Sequence, residues 1–189
     1  MRKVFLYMMT LDGYIAGPNN ELDWMVPIED EAAIEMGLIN TVDIALIGHG
    51  SYKGMAGYWP AAVENPGEAE FAHKMNAITK LVFSQTEEKL EWQNAQQVLV
   101  KDNDDLAEQV AKLKRGPGKD MVLYGGVRLA QTFAQLGLID EYRLVVHPVI
   151  LGRGKPLFKD IQDKTNLKLV RTKHDNSGVV LLDYQPVKK

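Results

Sequence analysis

Short apolar runs that end in small or polar residues, each followed by a stretch of helical spacing, constrain this chain more than any other feature. DIALIG (43–48), KLVFS (80–84), AQQVLV (95–100) and DMVLYGG (120–126) read as strands. Between them lie segments with apolar residues three and four apart. Glu29–Ile39 carries Ala33, Ile34 and Leu38 at helical spacing, Glu68–Ala77 follows the same rule, and Asp104–Lys114 carries Leu106, Val110 and Leu113. Val127–Leu136 places Leu129, Phe133 and Leu136 on one stripe, with Gly137 as its stop. Asn103 or Asp104 is the expected N-cap of the third segment. SYKGMAGYWPAAVENPGE, with its three glycines and two prolines, reads as irregular. Val4–Met9 reads as a buried first strand, and LDGYIAGPNNELDW as the loop after it. EYRLVVHPVIL (141–151) is a long strand interrupted at Pro148, and DNSG turns the last two extended runs into a hairpin. Alternation of this kind predicts an α/β fold, with a mainly parallel sheet, helices on both faces and an antiparallel hairpin at one edge. No linker divides the 189 residues, so one domain is expected.

In such a sheet, ligands bind beyond the carboxyl ends of the strands. Gly125 and Gly126 fall at one such end, directly before a helix. A helix N-terminus offers free N–H groups and partial positive charge, and glycine lets a phosphate reach the backbone. ALIGHGSYKG repeats the arrangement: apolar strand, Gly48, then His49 and Ser51 at a helix start. Two such turns on neighbouring strands suit one pyrophosphate gripped from both sides. FSQT adds Ser84, Gln85 and Thr86 at a third strand end, as polar contacts to an adenosine or simply as a turn. On this reading Gly126→Val is expected to abolish dinucleotide binding and leave the fold largely intact. The spacing matches neither GxGxxG nor a Walker A loop.

The remaining composition excludes several classes. A net charge of −3 argues against a general nucleic-acid binder. With no cysteine there is no disulfide, thiolate zinc site or cysteine nucleophile, and four histidines without HExxH spacing suggest no metal. His147 is expected to be buried and satisfied, and His73 and His174 to lie on the surface. The N-terminus reads as a strand rather than a signal peptide, and no run approaches the roughly 20 apolar residues of a membrane span. A cytoplasmic protein is expected.

Taken together, MTLDGYIAG, LIGHGSY, VFSQT, VLYGGVRLAQTF, GLIDEYRLVVHPVILGRGKPLF and SGVVLLDYQ resemble the dihydrofolate-reductase-like superfamily. The closer branch contains the reductase domain of bacterial riboflavin biosynthesis and its stand-alone relatives. The resemblance covers nearly the whole chain, and 137–158 is its most distinctive stretch. It implies a three-layer α/β/α fold and NADPH as hydride donor. It implies that Gly48, His49, Ser51, Gly125, Gly126, Val127 and Arg128 hold the cofactor, with Ser84 and Gln85 beside the adenosine. Asp12, with Ile15 and Ala16, would lie near the nicotinamide and substrate. Glu29 would match the substrate carboxylate of true dihydrofolate reductases. Trp24 and Trp59 are expected in the core or as walls of a substrate pocket, and Arg153 and Lys155 are candidates for a substrate phosphate. A homodimer is implied, with LVVHPVIL as its interface strand.

One departure stands out. The family usually places arginine directly after the glycine of LIGHG, whereas this chain has His49. Arginine offers a planar, permanently charged fork, and histidine does not. Two readings follow. The first is an NADPH-dependent reductase of a small pyrimidine- or pterin-like heterocycle, with Asp12 or Glu29 assisting proton delivery. The alternative is a non-catalytic nucleotide-binding or dimeric interaction protein on the same fold.

Overall fold

The computed structural model describes residues 3–6, 8–28 and 36–187. A nine-stranded sheet forms its centre. β1 (Val4–Leu6), β4 (Val42–Gly48), β5 (Thr79–Ser84), β6 (Ala95–Leu99), β7 (Asp120–Gly125) and β8 (Glu141–His147) run parallel. β11 (Val180–Pro186) lies antiparallel to β8, and β10 (Leu167–His174) closes that edge. Across the sheet the order is β10-β11-β8-β1-β7-β4-β5-β6. This is the expected three-layer, mainly parallel architecture with a C-terminal antiparallel hairpin.

The apolar runs are near-continuous because both faces of the sheet are covered. Alternate residues serve opposite layers. Leu46, Leu81, Phe83, Met121 and Leu123 pack with Leu106 and Val110 of α3 (Asn103–Arg115) and with Leu129, Ala130 and Phe133 of α4 (Val127–Gln135). Ala45, Ile47, Val82 and Val122 face the other way. They meet Leu38 and Ile39, Tyr52 of α1 (His49–Tyr58), and Phe71 and Met75 of α2 (Ala69–Ala77).

Four expectations need correction. Val4–Met9 is not one strand: Met8 has φ +91, and β2 (Met9–Thr10) resumes beyond it. Leu6 pairs with Tyr142 but Met9 with Val146, so three steps on one strand span four on β8. Residues 49–58 are helical rather than irregular. Gly50, Gly54 and Gly57 recur at helical spacing, and a Cβ added to any of them would meet nothing within 4 Å. These glycines weaken the helix without serving its packing. α1 is held by tertiary contacts instead, since the buried Tyr52 hydroxyl accepts from Glu91 N (2.8 Å) and Trp92 N (2.9 Å). The N-cap of α3 is Asp102, whose Oδ1 accepts from Asp105 N at 2.9 Å. A residue earlier than expected, it reaches the third N–H of the helix as a cap should.

The fourth correction concerns β8. Residues 142–146 pair with β11 on one side, and 141–142 and 146–147 pair with β1 and β2 on the other, so the strand expected at a dimer interface is an interior strand of the sheet. The outer strand is β10, exposed along its whole length. One element was not foreseen: β3 (Tyr14–Ala16) pairs with β9 (Lys155–Pro156) in a separate two-stranded sheet. It lays the segment around Gly154 on the first loop. There a Cβ at Gly154 would stand 2.4 Å from Ala16 O.

Candidate functional site

β7, β4 and β5 are neighbours, so the three polar strand ends meet. Ile47 pairs with Gly125, and Gly48 with Phe83. α1 and α4 therefore begin side by side, one from Gly48 and one from Gly126. Neither start has a side-chain cap, and neither first turn has an acidic residue. α3, by contrast, has both Asp102 as cap and acidic Asp104 and Asp105. The N–H groups that a helix start leaves without intrahelical partners are thus paired in space at one point, with both dipoles' positive ends aimed there. Such a point suits an anion.

The two glycine turns touch. A Cβ on Gly126 would lie 2.9 Å from Gly48 Cα and 3.1 Å from Gly48 N, and Gly126 has φ +100. Gly126 is therefore required by the fold, whatever binds nearby. The expectation that Gly126→Val leaves the fold largely intact does not hold. Gly125 faces α1: a Cβ there would stand 3.0 Å from Met55 Sδ and 3.4 Å from Ser51 Cβ. Ser51 is thus placed beside the Gly125 turn. Val127 and Arg128 open α4, and Arg128 is exposed.

His49 heads α1 and is engaged by a residue with no signal in the sequence. Its Nε2 contacts Glu88 Oε2, while Lys53 Nζ lies 3.5 Å from Glu88 Oε1. Ser84 is buried and makes a local turn, donating to Thr86 O (2.8 Å) and accepting from Thr86 N (3.1 Å). Gln85 is exposed at the same strand end.

Asp12 follows β2, which pairs with β8 on the other side of β1 and β7. Its Oδ1 accepts from the Thr10 hydroxyl (2.6 Å) and from Leu151 N (3.1 Å), and its Oδ2 from Gly152 N (2.8 Å). The Thr10 hydrogen bond, reinforced by these backbone amides, lowers its pKa. A carboxylate so placed fastens the 149–152 turn to the first loop, and it is a poor proton donor. Sequence reading picked out Asp12 but missed Thr10 and the two amides, which come from 139 and 140 positions along the chain. Ala16 is buried in β3. Glu29 lies outside the described residues.

The flanking aromatic residues are packed rather than open. Trp24 meets His147 edge-on, with ring centroids 5.3 Å apart. Trp59 contacts Tyr58, Phe71 and Tyr124. His147 is buried, and its Nδ1 accepts from Val26 N at 3.1 Å, as the sequence led us to expect of a satisfied histidine. Burial lowers its pKa, with Asp175 opposing. The unfolded chain therefore takes up this proton first. Stability from the site is complete above the ordinary histidine pKa of about 6.5 and declines as pH falls below it. Melting temperature followed from neutral to mildly acidic pH should fall more steeply for the wild type than for His147→Gln. Equal slopes would show that His147 is not the group responsible.

Comparison with known proteins places this geometry in context. A model of the RibD C-terminal domain matches residues 3–181. YyaP of Bacillus subtilis (strain 168), described as uncharacterized, is 40% identical over 184 residues, covering 97% of this chain and 94% of its own. The diaminohydroxyphosphoribosylaminopyrimidine deaminase/5-amino-6-(5-phosphoribosylamino)uracil reductase of Thermotoga maritima superimposes with TM-score 0.67 at 16% identity. That match spans 98% of this chain and 57% of the other. Dihydrofolate reductase of Enterococcus faecalis, complexed with NADP(H), superimposes with TM-score 0.57 at 13% identity, over 98% of this chain and 94% of its own. At these identities the two structures share the fold. Among the described residues, no helix is long and apolar enough to cross a membrane.

Proposed function

Because the chain belongs to the RibD C-terminal domain family, we propose that it is a reductase. It transfers hydride from a reduced nicotinamide dinucleotide to a C=N or C=O bond of a small pyrimidine- or pterin-like heterocycle. NADPH is the donor that the resemblance implies. The observation that carries this reading is the meeting of two uncapped helix starts at Gly48 and Gly126. The glycines that pack backbone on backbone bring no side chain to cap the helices they begin, which fits a pyrophosphate.

The reduced nicotinamide supplies the hydride when bound; the protein supplies position. The amides at the starts of α1 and α4 hold the phosphates, with Ser51 beside them. Ser84 and Gln85 border the adenosine. Asp12, ionised and bound to Leu151 and Gly152 amides, fixes the loops that border the nicotinamide and substrate. Holding the two reactants in one geometry is worth several orders of magnitude in rate. Asp12 is thus assigned as a positioning residue, and the proton that completes the reduction comes from water. The implied homodimer would use β10, whose Leu167, Leu169 and Val170 are exposed.

The reading is tested by incubating the protein with reduced dinucleotide and a panel of pyrimidine and pterin acceptors, following nicotinamide absorbance. Oxidation dependent on one acceptor class is expected. Asp12→Ala should lower kcat by roughly tenfold or more while dinucleotide affinity changes little, as loss of positioning would. Saturable binding without oxidation by any acceptor would instead support a nucleotide-binding protein without catalysis. Absence of binding would sink both.

A further inference from the structure

Resting on the reductase reading above, we infer that Glu88 decides which reduced dinucleotide this chain accepts: its carboxylate lies against His49 and Lys53 beyond the ends of β4 and β5, so the site favours the ribose hydroxyls of NADH over the 2′-phosphate of NADPH.

The placement follows from register. Gly48 of β4 pairs with Phe83 of β5, so His49 and Ser84 leave the sheet next to one another. Glu88 follows Ser84 by four residues, and its segment is fastened on both sides. Glu88 N donates to Gln97 Oε1 (3.2 Å), and the Tyr52 hydroxyl takes the amides of Glu91 and Trp92. The Glu88 side chain is only 20% exposed, against 45% for His49 and 80% for Lys53. The carboxylate is therefore the fixed member of the group. One oxygen lies against His49 Nε2, buried and, among the described residues, without a hydrogen bond, and the other lies 3.5 Å from Lys53 Nζ.

An incoming phosphate at this end meets a lysine already within ion-pair distance of a carboxylate that is itself largely buried. A cleft of about 440 Å³ beside it is lined by Glu87, Glu88, Lys89, Gln97 and Leu99, two carboxylates against one ammonium. Like charge disfavours a phosphate there, because charges of one sign a few ångströms apart repel substantially even in a partly solvated site. A carboxylate and an amide suit the two hydroxyls of an unphosphorylated ribose, the contact by which acidic residues select NAD in other dinucleotide sites. On the reading above the amides of α1 and α4 serve the pyrophosphate, whereas Glu88 meets the side chains of His49 and Lys53. The consequence is confined to the 2′ position.

The test is a pair of fluorescence titrations, with NADH and with NADPH, of the wild type, Glu88→Gln and Glu88→Asp. The wild type is expected to bind NADH at least as tightly as NADPH. Glu88→Gln should tighten NADPH by about tenfold, the size expected when one fixed like charge is removed, and weaken NADH, which loses the carboxylate that accepts from its ribose hydroxyls. Glu88→Asp keeps the charge and should keep the wild-type preference. A wild type that prefers NADPH by tenfold or more overturns the inference, even if neither variant folds. A Glu88→Gln variant that shifts both affinities equally overturns it too. Binding of neither dinucleotide by the wild type overturns the reductase reading itself, and this inference with it.

Discussion

Gly126→Val should destabilise the protein by about 2–5 kcal/mol, the sum of an overpacking cost and a left-handed backbone cost. The added Cβ would sit 2.9 Å from Gly48 Cα, and valine would have to adopt φ +100. Neither problem relaxes easily, because the obstacle is backbone in the centre of the sheet, where β4 is paired with both β5 and β7. For a chain of this length that is a fall in melting temperature of roughly 10 °C. Gly126→Ala should show most of the effect, since the first carbon meets the clash. By contrast, Gly54→Ala places its Cβ in open space and should be neutral or stabilising. A melting temperature for Gly126→Val within a degree or two of wild type would mean that the two turns do not touch as described.

Lys80→Ala should cost about 3 kcal/mol, as expected when a long buried side chain and its hydrogen bonds are removed together. Lys80 is completely buried at the second position of β5. Its Nζ donates to Met75 O (3.2 Å) and Asn76 O (2.7 Å) at the end of α2, and lies 4.7 Å from the Trp92 ring centroid. The ammonium thus satisfies the last carbonyls of a helix and meets an aromatic face at once. Burial holds its pKa down to about 8. Lys80→Met keeps the apolar stem and should lose less than Lys80→Ala. Asn76 O still accepts from Gln93 Nε2 (3.3 Å) and Asn94 Nδ2 (3.2 Å), so only part of the network is orphaned. Denaturant melts of the two variants measure this directly. Equal losses would mean that the packed stem contributes nothing.

The sequence carried the layers of the fold well, because each covered strand is a short apolar run and each helix has its own stripe. It failed where tertiary contact overrides composition. Three glycines and two prolines argued against structure in 51–68, yet α1 forms across 49–58 because Tyr52 is buried and its hydroxyl is bound from a distant loop. LVVHPVIL was expected as an interface strand, yet β8 is interior, because strand order cannot be read from one strand alone. The glycine turns were legible as strand-to-helix junctions, but their mutual contact was not. Nothing local in HGSYKG tells His49 that Glu88 will lie against it, or tells Asp12 that it will hold the amides of Leu151 and Gly152. Those pairings join segments far apart in the chain.

The central claim is that the starts of α1 and α4 together hold a reduced dinucleotide. The most direct measurement is an amide chemical-shift titration of the isotopically labelled protein with NADH and NADPH. The account predicts that the largest shifts fall on the amides of 48–51 and 125–128, saturating together with one affinity. Shifts that saturate elsewhere while these amides stay still would contradict it.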